Sequence, residues 1–148
     1  MSDAFKDLKL RTELAVNLSE IGFNKMTPIQ AGALPVVLTG RDVIGQAKTG
    51  SGKTAAFGLG ILNSLDIKNI DTQALILCPT RELAEQVSTE LRKLARMMKN
   101  VKVLTITGGV GYHHQESSLD HGAHIIVGTP GRVAKLIKTK FIFLKYIK

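Results

Sequence analysis

The chain has 148 residues, 44% hydrophobic and 22% charged, a length that fits one domain or part of a larger one and a composition ordinary for a soluble globular protein. No apolar run approaches the roughly 20 residues that span a bilayer, and the single cysteine, Cys78, excludes an internal disulfide, so a reducing, cytoplasmic setting is expected. The formal net charge is +8, and five lysines between Lys135 and Lys148, where no acid occurs, account for most of the excess, so basicity alone is weak support for a nucleic-acid partner.

Met1 to Val16 alternates charged and apolar residues and lacks the apolar core of a signal peptide. Thr12 to Ile21 places Leu14, Val16, Leu18 and Ile21 ahead of Gly22, which predicts a short helix. Thr27-Pro28 opens a second helix: threonine is a good N-cap and proline suits the first helical turn. It should run to about Leu38 and end before Gly40, with Pro35 kinking or shortening it. Asp42 to Gln46 reads as the first strand, and Lys53 to about Leu65 as the helix after a glycine-rich loop. Gln73 to Cys78 contains Ala74-Leu75-Ile76-Leu77 and stops at Pro79, the pattern of a strand buried on both faces. Arg81 to Lys99 is the clearest helix, with Leu83, Ala84, Val87, Leu91, Leu94, Ala95 and Met98 on one stripe. Val101 to Thr107 is the next strand, ended by Gly108-Gly109. Ile125-Ile126-Val127 is another, followed by the turn Gly128-Thr129-Pro130-Gly131 and a helix from Arg132 to Lys138. Strands alternating with helices predict an α/β fold with a mainly parallel sheet, with no internal repeat.

The loop Ala47-Lys48-Thr49-Gly50-Ser51-Gly52-Lys53-Thr54 matches the Walker A pattern at Gly52, Lys53 and Thr54, with Ala47 at the first glycine position. Gly50 and Gly52 allow dihedrals closed to other residues and let backbone N–H groups approach phosphates. The next helix aims its unpaired N–H groups, equivalent to roughly half a positive charge, at the same anion. Lys53 suits the β- and γ-phosphates, and the Thr54 hydroxyl suits a magnesium ion. The surrounding strand and helix pattern favours a nucleotide site over an accidental glycine-rich turn.

The neighbours of this loop narrow the field. Gly22-Phe23 followed by Thr27-Pro28-Ile29-Gln30 resembles the Q motif of DEAD-box RNA helicases, which also place an aromatic upstream, at the position of Phe5. Ala47 is a variant common to that family. Pro79-Thr80-Arg81-Glu82-Leu83-Ala84 resembles its motif Ia, Gly108-Gly109 its GG motif, and Thr129-Pro130-Gly131-Arg132 its motif Ib, over residues 1 to about 138. Gln30 and the Thr129 to Arg132 motif argue against other P-loop enzymes such as kinases or transporter ATPases. The resemblance implies a RecA-like P-loop NTPase domain that uses ATP and Mg2+ to unwind or remodel RNA. Gln30 would read the adenine edge, for which a carboxamide has both a donor and an acceptor, and Phe5 would stack on the base. Pro79, Thr80, Arg81, Gly108, Gly109, Thr129, Pro130, Gly131 and Arg132 would hold one RNA strand by its phosphates, without reading sequence. Ala55-Ala56-Phe57-Gly58-Leu59-Gly60 and Thr72 to Cys78 are most similar to a bacterial member, which implies ribosomal RNA and ribosome assembly as the setting.

The resemblance divides the chain into a Q-motif region (1–40), a core (41–138) and an atypical tail (139–148). The family's next strand carries Asp-Glu-Ala-Asp, which holds the magnesium-bound water and activates the attacking one. That sequence does not occur here, and no acid follows Asp120. The expectation is therefore an N-terminal RecA-like domain incomplete at its C-terminus and without the second RecA-like domain, binding ATP and RNA weakly without hydrolysing ATP. The alternative is a non-catalytic nucleotide- or RNA-binding fragment. Neither a membrane nor a stable oligomer is indicated. His113, His114, His121 and His124 fit no zinc spacing and read as ordinary surface or loop histidines. Cys78 reads as a small buried hydrophobe.

Overall fold

Strands form where the sequence has its short, unbroken apolar runs: β1 (Ala74–Leu77), β2 (Val103–Ile106) and β3 (Ile125–Gly128). In this computed structural model, which describes residues 4–148, they make a parallel sheet in the order β1-β3-β2. Met1, Ser2 and Asp3, assigned by sequence to the Q-motif region, lie outside the described residues. Ile125 stands opposite both Ala74 and Val103, and Gly128 opposite both Leu77 and Ile106. The central strand β3 is buried at every position, which explains its lack of polar alternation.

The helices are α1 (Thr12–Glu20), α2 (Pro28–Val37), α3 (Lys53–Ser64), α4 (Arg81–Leu94), α5 (Tyr112–Asp120) and α6 (Pro130–Lys138), after a short 3-10 turn at Phe5–Asp7. The chain forms two compact units. One takes in residues up to Ser64 together with Glu90–Lys99; the other takes in Leu65–Thr89 and Asn100–Lys148.

The first unit has a leucine core: Leu14, Leu18, Leu34, Leu59, Leu62, Leu91 and Leu94 are all essentially inaccessible. Each such side chain stabilises the fold by about 1.5–3 kcal/mol relative to exposure. The close approach is set partly by Gly58, where an added Cβ would come within 2.9 Å of Leu91. Asn17, fully buried on α1, donates to the carbonyls of Lys93 and Leu94 at 2.8 and 2.9 Å and accepts from Arg96 Nε at 3.1 Å. These bonds satisfy two of the carbonyls left open at the end of α4. α4 accordingly stops at Leu94 rather than continuing to Lys99, and tighter turns carry the chain through Met98.

In the second unit, Ile106, Ala123, Ile126, Val133, Leu136 and Ile142 form the core, with Tyr112, Leu119 and Phe141 packed around it. Ile142, in the 139–148 tail, is 3% exposed, and the N–H groups of Phe141 and Ile142 both donate to Leu136 O. The tail is thus partly built into the core. His124 is a loop residue, immediately before β3, but it is buried rather than at the surface. Its Nδ1 accepts the Lys102 N–H at 3.0 Å, so the proton sits on Nε2, which faces Ile67 O at 3.0 Å. Both ring nitrogens are used for cross-linking backbone.

Several other expectations need correction. Asp42 to Gln46 is not a strand: residues 41–48 carry no regular structure, and Ile44 is fully exposed. A strand exists only as a hydrogen-bonded pair, and no described strand pairs with this segment. β1 is not buried on both faces; it pairs with β3 alone, and Leu77 is 54% exposed. Leu83 lies at the margin of the α4 stripe and is exposed, while Ala84, Val87, Leu91, Leu94, Ala95 and Met98 are buried. α6 begins at Pro130, not Arg132, because Thr129 takes the N-cap position and proline fits the first turn. α2, by contrast, ends where the sequence places its end, at Val37 with Leu38 as the C-cap, and it includes Pro35. α5, rich in serine and histidine, carries no clear apolar stripe and was not expected from the sequence.

Candidate nucleotide and nucleic-acid sites

The phosphate loop belongs to the first unit. Gly50 and Gly52 have φ of +78° and +85°, in the left-handed region that favours glycine. At Gly52 an added Cβ would also run into the amide of Gln30. Gln30 is 3% exposed at the third position of α2. Its Oε1 accepts the Thr27 N–H at 2.9 Å, closing the helix start, and its Nε2 donates to Gly52 O at 3.1 Å. One carboxamide therefore connects the start of α2 to the phosphate loop.

Lys53 opens α3, and its ammonium folds back onto the loop, donating to Ala47 O and, at 2.8 Å, to Lys48 O. The cation is held where the loop's own carbonyls stand in for an anion. Lys48, Thr49 and Gly50 are exposed; Ala47, Ser51, Gly52, Lys53 and Thr54 are half-buried. The buried hydroxyl oxygen of Ser51, within this loop, has no hydrogen-bond partner among the described residues, whereas Thr27 takes part in a capping box with Gln30. A buried hydroxyl without a partner is costly unless a ligand supplies one. The residues present thus fit a polyphosphate. Among the described residues no group of three or more His, Cys, Asp or Glu could hold a metal. A magnesium ion here would rest on Thr54 and the nucleotide's own oxygens, a donor set that suits a hard cation. Phe5 is 5% exposed with its ring 6.0 Å from that of Phe23, and it lines a cleft of about 250 Å³ with Ala15 and Leu18 rather than with the loop.

The second unit gathers the remaining motifs at the carboxyl ends of its strands, where open parallel sheets bind ligands. Cys78 N–H donates to Gly128 O at 2.9 Å and Thr129 N–H to Ile106 O at 3.0 Å, so the three strands end level. Pro79 to Arg81, Gly108-Gly109 and Thr129 to Arg132 are the segments that leave those ends. Thr80 caps α4 through Oγ1, which accepts the Leu83 N–H at 3.2 Å. Gly109 has φ +83°, and the Arg81 guanidinium lies in the space its Cβ would fill. Pro79, Thr80, Arg81, Glu82, Gly108, Thr129, Gly131, Arg132 and Lys135 line an open cavity of about 550 Å³. Of the expected contacts, Gly109 and Pro130 border it without lining it. Three cations against one carboxylate make it anion-attracting.

Lys135 is the addition that motif reading missed. It follows Arg132 by three residues on α6, one helical turn along the same face. Both cations lie over the Tyr112 ring, Arg132 Cζ at 5.6 Å and Lys135 Nζ at 4.3 Å from its centroid. Cys78, beside the cavity wall, is buried, and that burial raises its thiol above the ordinary value of 9.0.

A family model described as DEAD/DEAH box helicase matches residues 27–148. ATP-dependent RNA helicase DbpA from Escherichia coli is 61% identical over 117 residues, 79% of this chain and 26% of that protein. DEAD-box ATP-dependent RNA helicase CshA from Streptococcus pneumoniae is 46% identical over 97% of this chain and 27% of that protein. The chain therefore spans about a quarter of the length of these curated relatives. Among solved structures, a DEAD box protein from Methanococcus jannaschii superposes with a TM-score of 0.92 at 38% identity, over 98% of this chain and 39% of that one. S. cerevisiae Dbp5 bound to RNA and ADP BeF3 gives 0.89 at 33% identity, over 99% and 37%. The fold is RecA-like, with a parallel sheet flanked by helices, and the chain belongs to the DEAD/DEAH box helicase family.

Proposed function

We propose that this chain supplies the ATP-gripping loop and the first RNA-holding turns of an ATP-dependent RNA helicase. The observation that carries the reading is the Gln30–Gly52 bond, which fixes a carboxamide suited to an adenine edge against the phosphate loop. Gly50, Ser51, Gly52, Lys53 and Thr54 hold the phosphates, with Ala47 to Thr49 as the loop's entry. On ATP arrival the Lys53 ammonium exchanges its two loop carbonyls for phosphate oxygens, and the Ser51 hydroxyl gains a partner. Magnesium, bound at Thr54 with the nucleotide, supplies charge neutralisation along the phosphates. Phe5 supports the reading least, because its ring is packed against Phe23.

In the second unit Arg81, Arg132 and the turn amides at Gly108-Gly109 and Thr129 to Gly131 hold the phosphates of one RNA strand, and Lys135 adds a third cation. Thr80 and Pro79 shape the wall. Ribosomal RNA as the target and ribosome assembly in the cytoplasm as the setting are part of this proposal, and they rest on the resemblance carried by residues 55–60 and 72–78. None of the 148 residues forms an Asp-Glu-Ala-Asp sequence, so the reaction in these residues stops at binding. Titration of the chain with a fluorescent ATP analogue tests the reading. Saturable binding that Lys53→Ala abolishes supports it; binding unchanged by Lys53→Ala, or RNA-stimulated ATP hydrolysis by these 148 residues, overturns it.

A further inference from the structure

Gln115 lies on α5 outside every motif identified in the sequence, yet it is one of the buried polar side chains, 4% exposed. Its Nε2 donates to Thr107 O at 2.8 Å, the carbonyl immediately before the Gly108-Gly109 turn. Its Oε1 accepts from Arg132 Nη1 at 2.9 Å, and the same Nη1 donates to Val110 O at 3.1 Å. One side chain thus joins the turn after β2 to a guanidinium on α6, using both ends of its amide. Burying an amide is tolerable only because each end is satisfied.

We propose that Gln115 is a positioning residue for RNA binding: it holds Arg132 in the orientation that meets a phosphate and pins the turn beside it. The proposal rests on the reading that the cavity at the strand ends holds an RNA strand. An arginine has many rotamers, and ordering one on binding subtracts from affinity. Here Gln115 Oε1 and Val110 O order the side chain in advance. Both bonds use Nη1, which leaves the other donors of the planar fork to face a phosphate oxygen pair. The Tyr112 ring beneath the guanidinium completes the seat.

The test is a double-mutant cycle on binding of a labelled oligouridylate of about ten nucleotides, read by fluorescence anisotropy at low salt. Gln115→Leu keeps the volume but neither bond, and should weaken RNA binding about tenfold, the low end of the range for losing a hydrogen bond to a charged group. Arg132→Ala should weaken it at least as much. If Gln115 acts through Arg132, the double variant binds no more weakly than Arg132→Ala, within about twofold. ATP-analogue affinity, which depends on the other unit, stays unchanged in all three. Gln115→Leu binding RNA like the parent, or a double variant showing the product of both losses, overturns the inference alone. A parent chain with no affinity for RNA overturns the RNA reading and the inference with it. If Gln115→Leu lacks a cooperative melt, Gln115→Asn, one methylene too short to span both partners, takes its place in the same cycle with the same outcomes.

Discussion

Gln30 and Gly52 are fitted to each other: the Gln30 Nε2 donates to the Gly52 carbonyl at 3.1 Å, across the space a Cβ on residue 52 would occupy. Glycine is required at that position twice, for its φ of +85° and for this approach. Gly52→Ala should therefore cost about 1–2 kcal/mol in backbone strain and displace the Gln30 amide. The expected outcome is a lowered urea midpoint together with loss of ATP-analogue binding. A variant that keeps full nucleotide affinity would show that the contact is incidental.

Asn17 supplies the second prediction. Asn17→Ala leaves the Lys93 and Leu94 carbonyls without their amide and removes the Arg96 acceptor, all around a fully buried position. Unsatisfied buried groups cost about 1–3 kcal/mol each, so a loss of about 2–4 kcal/mol is expected in equilibrium denaturation. The nearby Arg96–Glu20 ion pair is half-exposed on both sides. Glu20→Ala should change stability by less than about 1 kcal/mol.

Cys78 gives the chain a pH dependence of known sign. Burial disfavours the thiolate, so the folded-state pKa lies above the ordinary 9.0. The unfolded chain then loses this proton at lower pH than the folded one. The contribution is fully present below pH 9 and is lost as pH rises through that value toward the folded pKa. Cys78→Ala should flatten the decline of the denaturation midpoint above pH 9. Identical pH profiles for the two proteins would rule the assignment out.

Arg81 and Lys135 provide a test of the anion-attracting cavity. Each replaces a phosphate counterion when RNA binds, so Arg81→Ala or Lys135→Ala should reduce the slope of log affinity against log salt by about 0.7. The loss should be similar for oligonucleotides of any sequence, because phosphate contacts do not read bases. Measuring binding at several salt concentrations decides it. A slope unchanged in Lys135→Ala would remove that residue from the site.

Features that depend on local chemistry were legible in the sequence. Gly50, Gly52 and Lys53 marked a glycine turn running into the start of α3, and the ends of β1, β2 and β3 were marked by Pro79, Gly108 and Thr129-Pro130. Features that depend on distant partners were not. His124 is polar by composition but buried because Lys102 and Ile67 supply backbone groups to both ring nitrogens. Gln115 falls in no motif and in no helix legible in the sequence, and its two bonds exist only because the fold brings Thr107 and Arg132 to it. Asp42 to Gln46 has a strand's residue pattern, but a pattern specifies which face is apolar, not whether a partner is present to pair with it.

That bare segment has a consequence for how the loop works as a ligand clamp. The loop is anchored on one side, through α3 and the Gln30 bond, and approached on the other by a cantilever whose Val43 and Ile44 stand in solvent. Amide protons along the cantilever lack the ladder bonds that slow exchange, whereas those inside α3 are shielded. If nucleotide must set those dihedrals as it binds, each residue ordered withdraws about 1–2 kcal/mol of backbone entropy from the affinity. On that condition, affinity for a nucleotide would depend on the ordering of this arm as well as on the atoms that touch the ligand.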